Sequence, residues 1–212
     1  LNLKGSLNLL NCCVENNIKN IILISTINVY GNSINVSSNE ESELSPQTNY
    51  GLIKLLTEEL YRQFSRIYDL NITILRLSNI FGPNKKAGYI SHLINSSVFN
   101  HQKISAYNNG NQYRDVLFID DAIDGIIKSL KKPLKGFNIF NISSGTKFSI
   151  NEIIKEIEKI SNQKLNIEYT NEIPDESCIW ANNSKAKNVL NFSPKTSLHD
   201  GIETTINYLK TH

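Results

Sequence analysis

Asn20-Ile21-Ile22-Leu23-Ile24-Ser25-Thr26-Ile27-Asn28-Val29-Tyr30-Gly31 opens as an unbroken apolar run and ends on two hydroxyls and a turn. A short Ile-rich run with polar flanks reads as a strand buried on both faces, which is the signature of a parallel sheet covered by helices. Downstream, Tyr50-Gly51-Leu52-Ile53-Lys54 opens a helix predicted over about 49–68. Pro46 precedes it, and Leu52, Leu55, Leu56, Leu60 and Phe64 supply its apolar positions.

The same two patterns alternate along the rest of the chain. Leu3, Leu7, Leu10 and Val14 predict an opening helix. Further strands are predicted over 72–77, 103–107, 116–119, 137–141 and 165–169. Helices are predicted over 89–98, 149–160, 184–190 and 197–209. Another follows the 116–119 strand, capped by Asp120 or Asp121 and ended by Pro133. Asn108-Asn109-Gly110 and the stretch 78–83 read as turns. Helices alternating with short buried strands give an α/β fold with a parallel sheet.

Tyr50 and Lys54 stand one helical turn apart and share a face. An ammonium there is expected to hold the phenol below its usual pKa, near 10, so that it takes a proton from a hydroxyl close to neutral pH. The spacing alone is weak evidence in a chain with nine Tyr. The composition excludes other chemistries. A net charge of +2 with dispersed basic residues gives no nucleic-acid footprint. No apolar run is long enough to span a membrane and no secretory signal is visible, which reads as cytoplasmic. Adjacent Cys12 and Cys13 with distant Cys178 read as reduced thiols. His92, His101, His199 and His212 show no ligand spacing, so no metal is expected.

Six landmarks in order resemble the extended short-chain dehydrogenase/reductase family, the NAD-dependent nucleotide-sugar epimerases and dehydratases of the UDP-glucose 4-epimerase type. They are Asn2-Leu3-Lys4-Gly5-Ser6, the 25–31 stretch, Tyr50 to Lys54, Leu75-Arg76-Leu77-Ser78-Asn79-Ile80-Phe81-Gly82-Pro83, Asn109-Gly110-Asn111-Gln112-Tyr113-Arg114-Asp115-Val116, and Asn141 to Gly145 followed by Ser184-Lys185-Ala186. The resemblance implies the C-terminal portion of a Rossmann-type doubly wound parallel sheet plus a small α/β substrate-binding lobe. Residues 1–82 and 116–143 would belong to the cofactor domain, and 83–115 and 144–212 to the lobe. The family's Gly-rich pyrophosphate loop has no counterpart here. With Leu1 as first residue, no Met and no cap before the first helix, the sequence reads as a fragment, expected to be inactive by itself.

The resemblance also assigns roles. Tyr50 would be the general base, Lys54 would hold the nicotinamide ribose, and Thr26 would hydrogen-bond the reacting oxygen. Asn2, Ser25, Tyr50, Lys54 and Ser78 would contact the cofactor, which is NAD by the family's commoner habit, with NADP open. Thr26, Asn79, Gln112 and Arg114 would contact a nucleotide-sugar substrate, with Tyr107, Ile90 and Leu93 as further candidates. The family's 4,6-dehydratases carry an Asp-Glu pair where this chain has Ile27 and Asn28, which steers the reading to epimerisation, expected at C4. A reductase or dehydrogenase on the same scaffold, or a non-catalytic cofactor-binding homologue, are the alternatives. A second family arginine falls near Glu172, whose charge would repel a diphosphate unless Lys164 or another cation substitutes. Family members are often dimers through the Tyr50 helix and the one before it, making Leu9, Leu10, Leu56 and Leu60 candidate contacts, though core packing explains them as well.

Overall fold

The computed structural model describes residues 2–33, 36–85, 88–100, 103–172 and 178–211. In chain order they form α1 (Asn2–Glu15), β1 (Asn20–Thr26), α2 (Asn49–Tyr68), β2 (Asn71–Leu77), β3 (Asn79–Phe81), α3 (Tyr89–Asn95) and β4 (Ile104–Ala106). Then follow β5 (Tyr113–Arg114), β6 (Val116–Phe118), α4 (Ile119–Lys131), β7 (Phe137–Ile142), β8 (Phe148–Ser149) and α5 (Ile150–Ser161). β9 (Ile167–Tyr169), β10 (Cys178–Ile179), α6 (Ser184–Leu190) and α7 (Leu198–Thr211) complete the chain.

β2 lies between β1 and β7, all three parallel, with Ser25 opposite Arg76 and Arg76 opposite Asn141. Side chains alternate between sheet faces. Ile72 and Ile74 of β2 therefore meet Leu10 of α1 and Tyr61 and Phe64 of α2 on one face. Leu75 and Leu77 meet Ala122 of α4 and Ala186 and Leu190 of α6 on the other. Burying each of the larger side chains contributes about 1.5–3 kcal/mol. Helices on both faces of a parallel sheet make this a Rossmann-type α/β arrangement. A separate cluster joins α3, α5 and α7 around Phe81, Leu93, Ile153 and Ile202. The short parallel pairs β3–β6 and β4–β9 border it.

Local chemistry sets the element ends. The Thr48 hydroxyl accepts from the Gly51 N–H at 3.2 Å and starts α2, while Asp69 in the left-handed region (φ 51°) stops it. Ser149 and Glu152 form a reciprocal capping box on α5. Three expectations are corrected. Neither Asp120 nor Asp121 caps α4, because β6 runs straight into the helix and Phe118 stands at the N-cap. Asp121 instead accepts the Lys195 and Thr196 N–H groups at 2.9 and 3.0 Å, tying α4 to the segment before α7. The helix expected over 89–98 is α-helical only to Asn95 and widens into a π-type turn over Ser96–Asn100. Leu10 has no exposed surface and belongs to the sheet's own core, so it is no dimer contact; Leu9 and Leu56 are exposed. No described helix is long and apolar enough to cross a membrane.

Candidate active site

At the C-terminal end of β1 the backbone passes through Ser25 and Thr26 into a 3-10 turn, Ile27–Val29. The N-terminus of α2 packs against that turn because Gly51 lacks a side chain. A Cβ there would stand 2.8 Å from the Asn28 carbonyl oxygen and 3.0 Å from Pro46 Cβ. The close approach brings the Tyr50 phenol near enough to the Thr26 hydroxyl to interact with it. Thr26 Oγ1 donates to Asn28 Oδ1 at 3.0 Å and accepts the Asn28 N–H at 3.2 Å. Lys54 Nζ donates to the Ile24 carbonyl at 3.0 Å, fixing the ammonium beside the strand end.

These groups line one cleft of about 290 Å³ with Ser25, Ser78, Asn79 and Lys85. The structure thus brings together Ser25, Thr26, Tyr50, Lys54, Ser78 and Asn79, which the sequence reading singled out. The side chain of Asn2 lies outside the described residues. A small adjoining cavity shares Asn79, Ile80 and Lys85 with the cleft and adds Tyr89, Ile90 and Arg114. Gln112 is buried and supports this cavity from behind: Arg114 Nη2 donates to its Oε1 at 2.8 Å, and Arg114 Nη1 to the Tyr113 carbonyl at 2.8 Å. Leu93 is wholly buried in the core, whereas Ile90 packs there and also borders the cavity. Tyr107 is part-exposed and lies close enough to Tyr89 to act on it electrostatically.

The electrostatics depart from expectation at one point. Tyr50 is pushed above its ordinary pKa by partial burial, and only the neighbouring Thr26 hydroxyl opposes this. Lys54 does not lower it as the spacing suggested. Its Nζ is 6.0 Å from the phenol ring centroid and engaged by Ile24. Near Ser78, burial pushes the Asp115 carboxyl up, against hydrogen bonds from the Ser144 hydroxyl and N–H and from the Ala181 N–H. The buried Ser78 hydroxyl lies toward Asp115, yet no group among the described residues completes a well-formed hydrogen bond to it. Lys85 donates to the Ile80 carbonyl, and burial lowers its pKa.

Ile27 turns inward, with no exposure, against Val29, Ile179 and Ala181, while Asn28 borders the cleft. The place of the dehydratases' proton-transfer pair therefore holds one core side chain and one amide. Glu172 is exposed at the surface, and its carbonyl accepts the Asn108 N–H at 2.7 Å. Lys164 does not replace the second arginine, because it pairs with Glu158 at 2.7 Å and lines a different cavity. Lys85 was missed by the sequence reading. It sits in a turn whose spacing announces nothing, and only the fold carries it to both cavities. Glu58 was missed despite a legible signal, since it follows Lys54 at the same i, i+4 spacing that links Tyr50 to Lys54.

Comparison with known proteins adds independent findings. The model of the "NAD dependent epimerase/dehydratase family" matches residues 1–143. The chain is 32% identical to the uncharacterized UDP-glucose epimerase YtcB of Bacillus subtilis, over 99% of this chain and 66% of that protein. It is 31% identical to a UDP-glucuronate 4-epimerase of Thermodesulfobacterium geofontis, over 99% of this chain and 65% of the relative. The crystal structure of UDP-glucuronic acid 4-epimerase from Bacillus cereus, in complex with UDP-glucuronic acid and NAD, superposes with a TM-score of 0.90 at 32% identity. That match covers 99% of this chain and 67% of that one. The chain thus spans about two thirds of the length of the curated relatives it matches. With more than half its residues matched by one family model, the chain belongs to the NAD dependent epimerase/dehydratase family.

Proposed function

We propose that this chain carries the acid–base centre and the sugar-nucleotide subsite of a nucleotide-sugar epimerase that uses NAD and acts at C4 of the sugar. The observation that carries the reading is the convergence of Tyr50, Thr26 and Lys54 on one cleft that opens into a cavity lined by Arg114, Asn79 and Lys85. Tyr50 takes the proton of the sugar hydroxyl and later returns it, and Thr26 hydrogen-bonds the same oxygen. Bound NAD supplies the hydride acceptor that makes oxidation at that carbon reversible. The cleft residues fit its nicotinamide riboside: Ser78 offers a buried hydroxyl lacking a well-formed partner, and Ser25 and Lys54 offer further polar contacts. The Gly-rich cradle for the pyrophosphate is not part of this sequence.

Arg114, oriented by Gln112, and Asn79 hold the substrate's diphosphate by charge-assisted hydrogen bonds. Lys85, shared by both cavities, adds a cation between diphosphate and sugar. Ile27 and Asn28 offer no acid or base for loss of water, which favours epimerisation over dehydration. The exposed Leu9 and Leu56 on the neighbouring helices α1 and α2 support a homodimer through those helices.

The test uses the complete gene product with a UDP-hexose or UDP-uronic acid. The expected result is interconversion of 4-epimers with no net gain of reduced nicotinamide. Tyr50→Phe should lower kcat by about 10²–10⁴-fold and leave NAD binding in place. Stoichiometric accumulation of NADH would instead establish a dehydrogenase, and full activity in Tyr50→Phe would remove Tyr50 from the mechanism.

A further inference from the structure

Behind the cleft wall lies a buried ion pair that the proposed chemistry leaves unused. Glu58, on the turn of α2 after Lys54, and Arg76, in the middle of the sheet, have side chains only 3% and 1% exposed. Arg76 Nη2 donates to Glu58 Oε2 at 2.6 Å, and Nε lies 3.2 Å from both carboxylate oxygens. The guanidinium also stands over the Tyr30 ring, 4.8 Å from its centroid, and the Tyr30 hydroxyl donates to Asn141 Oδ1 at 2.8 Å. Among the described residues, the Ser25 hydroxyl also donates to this carboxylate, at Glu58 Oε1. Ser25 itself lines the cleft beside Thr26.

A serine hydroxyl has one proton and two lone pairs, and a carboxylate paired with a guanidinium accepts hydrogen bonds. Ser25 therefore spends its one proton on Glu58 and faces the cleft with lone pairs alone. We infer that the Glu58–Arg76 pair fixes Ser25 as a hydrogen-bond acceptor, so that it selects an N–H or O–H donor on the nicotinamide riboside of the cofactor. The inference rests on the cofactor reading above. It makes Glu58 and Arg76 positioning residues, acting through Ser25 and through the spacing of β1 and α2. The donor is either the carboxamide N–H₂ or a ribose hydroxyl.

Calorimetry on the complete gene product tests it with two dinucleotides, NAD and its 3-acetylpyridine analogue, in which a methyl group replaces the carboxamide nitrogen. Ser25→Ala should weaken NAD binding by about 3- to 10-fold, the range of one hydrogen bond. If the carboxamide is the donor, the analogue binds the parent protein less tightly than NAD by a similar factor, and Ser25→Ala erases that difference. If a ribose hydroxyl is the donor, Ser25→Ala weakens both dinucleotides equally. Glu58→Gln, whose amide can donate to Ser25 and release its proton toward the cleft, should weaken NAD binding as Ser25→Ala does. Combining the two should add little. NAD binding unchanged by Ser25→Ala overturns the inference alone; no NAD binding by the parent protein overturns the cofactor reading and the inference with it.

Discussion

Replacing Arg76 by Met isolates what the buried pair contributes to stability. Methionine keeps the length and most of the apolar stem of the side chain, so little cavity is created. What is lost is the 2.6 Å Nη2 contact, the two 3.2 Å Nε contacts and the positive charge facing the Tyr30 ring. Glu58 then stays buried with only Ser25 donating to it among the contacts described above. Removing one partner of such a pair costs about 3–5 kcal/mol, mostly as the desolvation of the charge left behind. For a chain of this size each kcal/mol lowers Tm by about 2–4 °C, so the melting temperature should fall by roughly 6–20 °C. Urea unfolding followed by circular dichroism measures the change directly, provided the m-value is unaltered. The double replacement Glu58→Leu with Arg76→Met removes both charges and should recover most of the loss. The reasoning is refuted if Arg76→Met costs less than about 1 kcal/mol, or if the double variant is no more stable than the single one.

Two further outcomes follow from the same structure. Gly51→Ala places a Cβ 2.8 Å from the Asn28 carbonyl oxygen, so the start of α2 must back away from the turn that follows Thr26. Such overpacking costs about 1–3 kcal/mol, and kcat should fall with it because Tyr50 loses its register with Thr26; unchanged kcat and unfolding midpoint would show that the turn yields freely. Tyr30, only 4% exposed, is pushed up to about 12 by burial, against about 10 in an unfolded chain. The folded state keeps a proton that the unfolded chain releases, so this stabilisation is complete below about pH 10 and is lost as pH rises toward about 12. The loss should be on the order of 2–3 kcal/mol. Tyr30→Phe should flatten that part of the stability–pH curve, and an identical slope in the variant would assign alkaline unfolding to other groups.

The parts of the fold that could be read from the sequence are those written in short windows. β1 and β2 announce themselves as apolar runs, α2 as a periodic segment behind Pro46, and α5 as a helix opening at Ser149, because each signal lies within a few residues of the element it sets. The cleft residues Thr26, Tyr50 and Lys54 were found the same way, through ordered landmarks. What failed or escaped notice is held by contacts across long separations. The i, i+4 spacing placed Lys54 beside Tyr50, but the Ile24 carbonyl, 30 residues back in sequence, claims its ammonium. Asp120 and Asp121 look like caps, yet the carboxylate of Asp121 serves backbone N–H groups 74 and 75 residues away. The ion pair joining Glu58 to Arg76 across 18 residues, and the bond to Ser25 across 33, are invisible to any local window. This division has a functional consequence. A motif locates the group proposed to transfer the proton, whereas the buried carboxylate behind the strand decides which way a neighbouring hydroxyl points its proton. On the proposed reading, replacing Glu58 changes the hydrogen-bonding polarity that Ser25 presents to the cofactor while Tyr50 and Lys54 stay in place.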